Sequence, residues 1–216
     1  MSGPAPELAF RFAARIVADP AHAVGLWRSV TGCKAVGCVP PIPVPEILHA
    51  AGLLPVSLAV RKIPGSLWSC VDAWVVAPGD PPLREPATEK GRFEFPTVPP
   101  VDLAAALDLL ESLAEWASQL SGRPVTEGGL WKSVRAYRER NDLLSLYEDR
   151  SEKGDGLPPG AAAGDIASAG NYLPPEAHSR LLAQSLRIGC PDTPGSWKEE
   201  REDPLLRLAR RMMMDR

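Results

Sequence analysis

Four cysteines, Cys33, Cys38, Cys70 and Cys190, are all that 216 residues contain, and they lie far apart. That is too sparse for the disulfide framework of a small secreted domain. Their spacings, C-x4-C, then x31, then x119, match no zinc or cluster pattern, so they read as free buried thiols. Long apolar runs are missing as well. None approaches the roughly 20 residues that a membrane helix needs, and the opening MSGPAPELAFRFAARI has no long apolar core of a signal peptide. The expectation is a soluble cytoplasmic protein. Nor is there a basic block: lysines and arginines are dispersed and the net charge is −3, which argues against nucleic acid or an anionic membrane as partner. Two catalytic signatures are absent too. Neither His22 nor His178 has a G-x-S-x-G elbow or a catalytic-cysteine motif nearby, and PPGAAAGDIASAG lacks the lysine of a phosphate loop and follows no strand.

What is present is globular: 44% hydrophobic and 24% charged residues, enough for one domain or a domain with a helical appendage. The 24 prolines and 18 glycines concentrate at 40–45, 78–100 and 154–175, which read as a structured motif, a surface connection and a linker. Ahead of them, residues 4–30 read as one or two short helices: Leu8, Phe12, Ile16 and Val17 fall on one face, and Ala23, Leu26, Trp27 and Val30 suggest a second helix beyond Pro20.

The centre of the reading is Ala35 to Val56, AVGCVPPIPVPEILHAAGLLPV. Lys34 to Val39 is a short apolar strand. Pro40, Pro41 and Pro43 then hold the chain extended, because each ring fixes φ and disfavours helix in its predecessor. Pro45 suits a first helical position, Glu46 lies in the first turn where the helix dipole favours a carboxylate, and Gly52 stops the helix. LLPVSLAV follows as a buried strand, and VDAWVVA, residues 71–77, as a third. Strand, helix, strand of this length is a parallel unit, so chemistry is expected beyond the carboxyl ends, after Val39, Val60 and Ala77. Glu46 and His49, one turn apart, are the catalytic candidates, and Arg61, Lys62 and Arg84 read as solvated surface.

From Asp102, a capping residue, the period turns helical, with Leu103, Leu107, Leu110, Leu113 and Leu120 as its apolar stripe. A second helix starts near Thr126 and places Leu130, Val134, Tyr137, Asn141 and Leu144 along one side, making a hairpin. A further helix spans Tyr172 to Leu186, and another runs from Asp203 through Leu205, Leu208 and Met212. The expected fold is α/β, a small parallel sheet flanked by helices, then a helical hairpin and a helical C-terminal tail. Its segments are an N-terminal α/β domain over 1–98, the hairpin over 99–150, a Gly/Ala/Pro linker over 151–172 and the tail over 173–216.

The run VGCVPPIPVPEILHAAGLLPV resembles the signature of the 2-hydroxyacyl-CoA dehydratase and benzoyl-CoA reductase family, roughly G-Y-x-P-x-x-x-P-x-E-[IL]-x-x-A-x-G-x-L-P-V. The hairpin is similar to the family's helical pattern after its first domain, although Arg138 stands where asparagine is usual and Asn141 where arginine is. The tail, with Cys190 and DPLLRLARR, resembles a segment that the family carries inside a second α/β domain, which is largely missing here.

The resemblance implies an acyl-CoA-processing subunit of anaerobic metabolism, with Glu46 beside the substrate. Family members hold a 4Fe-4S cluster on three cysteines, one of them immediately before an aspartate after the third strand. Here Gly79 precedes Asp80, and the insert that carries another ligand is shortened to RKIPGSLWS. The expectation is therefore an accessory, non-catalytic subunit with no metal or cofactor of its own, paired with a longer homologous subunit or with itself. Cys38, Pro40 and Asp80 would line the acyl-CoA crevice. The alternatives are a catalytic dehydratase or reductase subunit with Glu46 as acid or base and a 4Fe-4S cluster on rearranged cysteines, and a cluster-free hydro-lyase or acyl-CoA-binding module using Glu46 and His49.

Overall fold

The computed structural model describes residues 6–39, 44–58, 65–78, 91–96, 100, 102–154 and 161–188. The chain divides into two compact units, Cys33–Arg135 on the one hand and Met1–Gly32 with Ala136–Arg216 on the other. These units cut across the segments drawn from the sequence, because the N-terminal helices pack on elements that follow residue 136. Among the described residues, no helix is long and apolar enough to cross a membrane.

The Cys33–Arg135 unit is an α/β fold built on a four-stranded parallel sheet in the order β2-β1-β3-β4. β1 (Ala35–Val39) pairs with β2 (Leu54–Ser57) on one side and β3 (Ala73–Val76) on the other, and all five of its residues are buried. That double burial is why its sequence is uninterruptedly apolar. The registers place Cys38 opposite both Ser57 and Val75. β4 (Gly91–Glu94) pairs with β3 at the outer edge. Its exposed pattern GRFE shows no strand alternation, and the sequence reading leaves it as irregular chain.

Between β1 and β2 runs α3 (Pro45–Ala50), opened by Pro45 and closed by Gly52 at φ +77. Gly52 is favoured there because the left-handed conformation strains other residues; a Cβ would also meet the end of the Arg123 side chain at 3.1 Å, which would have to shift slightly. α5 (Leu103–Ser121) starts as expected at Asp102, whose carboxylate accepts from the Ala104 and Ala105 amides, and stops at Gly122 at φ +72. One sheet face carries α3 and α5: Val36, Cys38 and Val75 pack with Ile47, Leu48, Leu113 and Ala117. The stripe expected on α5 is corrected by this contact. Leu113 and Ala117 are its buried centre, with Leu109 and Leu110 beside them, whereas Leu103 is 73% and Leu107 50% exposed.

Trp74 and Gly37 share the opposite face, and Trp74 stacks against Trp68 of α4 (Gly65–Cys70) with ring centroids 4.3 Å apart. A Cβ on Gly37 would collide with the Trp74 ring, so the glycine is what leaves room for the indole against β1. The short α4 is a helix that the sequence reading does not resolve.

In the other unit, α1 (Pro6–Ala18) and α2 (Pro20–Thr31) are separated at Asp19, whose side chain caps α2 by accepting from the His22 amide at 3.0 Å. α1 packs against α7 (Ala161–Ala169) and α8 (Pro175–Ser185). α6 (Glu127–Lys153) contributes Glu127–Arg135 to the first unit and continues through Tyr137 and Tyr147 in the second. α7 corrects the linker expected over 151–172: Ile166 and Ala169 are fully buried beside Phe12, Ile16, Leu173 and Leu182. An alanine-rich stretch that looks structureless by composition is a good helix former once one face is covered. The expected helix from Asp203, together with Cys190, lies outside the described residues.

His178 of α8 is buried in this core. Its Nε2 donates to the Ile166 carbonyl at 2.9 Å, and its other edge abuts Gly170. Burial pushes its pKa down to about 4, with the Ile166 bond opposing and Arg140 reinforcing the shift. The ring is neutral when folded and takes up a proton more readily when unfolded. Its contribution to stability is therefore complete above about pH 6.5 and is lost as the pH falls towards 4, by up to about 3 kcal/mol. Urea unfolding at pH 7.5 and 4.5 should register this loss, and His178→Gln, which keeps a donor for Ile166, should flatten the dependence.

Candidate functional site

In an open parallel sheet, ligands bind outside the carboxyl ends of the strands where the strand order reverses. Here that point lies between β1 and β3, since the chain leaves β1 to one side for β2 and returns to the other for β3. Leu58 and Phe95, whose amides donate to Cys38 and Val76 carbonyls, mark the carboxyl ends of the neighbouring strands. Glu46 is brought to this end by the parallel crossover, which starts α3 there and runs it back towards the beginning of β2.

Glu46 and His49 are half-exposed and share a partner that the sequence does not advertise. Ser133 of α6, 1% exposed, donates its hydroxyl proton to the Glu46 backbone carbonyl at 2.8 Å, and its Oγ lies 2.9 Å from His49 Nδ1. A hydroxyl has one proton, and a carbonyl can only accept. Ser133 must therefore accept from His49, so the neutral ring carries its proton on Nδ1 and its lone pair on Nε2. The same argument excludes a nucleophilic Ser–His pair, because the nitrogen facing the serine is a donor. α6 reaches α3 closely: Thr126 caps it by accepting from the Gly129 amide at 3.1 Å, and a Cβ on Gly129 would lie 3.6 Å from the Ala50 carbonyl. Sequence periodicity marks Leu130, Val134 and Tyr137 on this helix and passes over Ser133, because nothing local ties it to residues more than eighty positions away.

Of the three residues expected to line an acyl-CoA crevice, Pro40 and Asp80 lie outside the described residues. Cys38 points into the α3–α5 core, 3% exposed, beside Leu48 and Val75. Burial pushes its thiol up to about 12, against a smaller opposing effect of the Val56 backbone, and its Sγ rests 3.4 Å from the Val36 carbonyl. A neutral buried thiol is neither a nucleophile nor a ready metal ligand.

The described thiols also do not fit an iron–sulfur cluster geometrically. Cys33 precedes β1 and Cys70 ends α4 just before β3, so both sit at the amino end of the sheet. Cys38 lies towards the carboxyl end, about 10 Å along the strand from Ala35. Among the described residues, no group of three or more His, Cys, Asp or Glu side chains is placed to hold a metal ion.

No protein-family model and no curated protein matches the chain.

Alkylation separates the thiols. With the chain folded at pH 8, iodoacetamide should modify Cys33 and Cys70, both half-exposed, at least ~100-fold faster than Cys38, and the difference should vanish in denaturant. Equal rates, read by peptide mass spectrometry, would remove Cys38 from the core.

Proposed function

We propose that the chain is an accessory subunit of an acyl-CoA-processing complex of the 2-hydroxyacyl-CoA dehydratase and benzoyl-CoA reductase kind, and that a longer homologous subunit supplies the 4Fe-4S cluster. The observation that carries the reading is the combination at the carboxyl end of β1. The segment resembling the family signature folds as strand, helix, strand with Glu46 in the first turn of α3, while the thiol within that segment, Cys38, is desolvated in the core. A carboxylate is thus available to the substrate where a thiolate is not.

In such a pair this subunit would shape the acyl-CoA channel and keep water from a reactive intermediate, which needs positioned polar groups and a packed wall rather than a cluster. Glu46 supplies the acidic group, and the α3–α5 core supplies the wall. The second α/β domain of the family would then be the longer partner's contribution.

Iron and acid-labile sulfide, with the visible spectrum, should be measured on anaerobically purified protein. The isolated chain should be colourless and iron-free, and the complex with the longer subunit brown with about four irons per cluster. Several irons per isolated chain would replace this reading with that of a cluster-bearing catalytic subunit.

A further inference from the structure

β4 ends the sheet on one side, and among the described residues no strand lies beyond it. The Phe95 amide donates inward to the Val76 carbonyl at 2.8 Å, and along a strand the amide and carbonyl of every second residue point to the same side. Phe93 and Phe95 therefore face β3. The amides and carbonyls of Arg92 and Glu94 point outward, with no backbone partner among the described residues. We infer that this edge pairs with the same edge of a second copy of the chain, antiparallel about a two-fold axis at Phe93, so that two four-stranded sheets join into one of eight. The inference is independent of the function proposed above.

An open edge can template any strand, and charge is what selects the occupant here. Arg92 and Glu94 stand two residues apart on one face of β4, where they bond to each other at 2.9 Å and remain 39% and 55% exposed. A two-fold axis at Phe93 sets Arg92 opposite Glu94 of the second copy, and Glu94 opposite its Arg92. The strand is thus complementary to itself in this register. An axis at Arg92 would oppose two arginines, and one at Glu94 two glutamates, so slipped pairings are disfavoured. Arg92 and Glu94 are also the residues whose backbone groups point outward. The charge-matched pairs are therefore the same pairs that exchange backbone hydrogen bonds. Phe93 meets its own copy on the axis, on the face where its ring packs 5.6 Å from that of Trp116. Four residues of edge make a small interface, below the size of a permanent complex, so the dimer is reversible and forms as the protein is concentrated.

Sedimentation equilibrium of the full chain, from about 1 to about 500 μM, should show monomer at the low end and dimer at the high end. Arg92→Glu sets glutamate opposite glutamate, and Glu94→Arg sets arginine opposite arginine. Each variant alone should raise the dimer dissociation constant at least ~10-fold. An equimolar mixture of the two should recover the dimer, because every cross-strand pair is then opposite in charge, and the double swap Arg92→Glu/Glu94→Arg should recover it with itself. Recovery on mixing also shows that neither single variant is misfolded. A wild-type chain that stays monomeric over the whole range overturns the inference. So does a dimer that neither single substitution weakens, or a mixture that dimerises no better than its components.

Discussion

The pairing of β1 with strands on both sides is the constraint from which the α/β unit follows. A strand hydrogen-bonded in parallel to two neighbours and covered on both faces must be apolar throughout, and it must be left and re-entered through crossovers. The first crossover is short, and the chain meets it with Pro45 to start α3 and Gly52 to end it. Because β2 and β3 lie on opposite sides of β1, α3 and α4 occupy opposite faces. Gly37 then admits the Trp74 indole on the α4 face, while Cys38 fills the α3–α5 face. The same topology delivers the head of α3, and with it Glu46, to the strand ends.

The helical unit obeys a different economy. Its core is assembled from helices distant in sequence, and α7 has a place only because α1 and α8 cover it. Inside that core, burial rather than charge pairing governs the titratable groups: His178 is driven to the neutral form, and the Tyr147 hydroxyl is pushed up to about 12, first by burial and then by Asp165.

Much of the sheet was legible because its signals are local. Proline at a first helical position, glycine past a helix end, an aspartate cap and uninterrupted apolar strands each act within a few residues, and β1, α3, β2, β3 and the start of α5 follow from them. The missed elements depend on neighbours. β4 is four residues, three of them exposed, held by β3, α4 is a six-residue helix anchored by tryptophan stacking, and α7 is an alanine-rich stretch stabilised by what covers it. Leu103 and Leu107 misled for a related reason: helical spacing places them near the stripe, but only the contact with α3 shows which arc of α5 faces inward. In the candidate site, Glu46 and His49 are visible from the motif they belong to. Ser133 is not, for its meaning comes entirely from a contact across the fold.

Native mass spectrometry after co-expression with a longer homologous subunit tests the central claim most directly, that this chain completes an acyl-CoA site it does not build alone. The account predicts a hetero-oligomer containing both chains that retains a CoA thioester, with neither retention nor turnover by this chain by itself. A chain that associates only with itself, or that binds and turns over the thioester unaided, would contradict it.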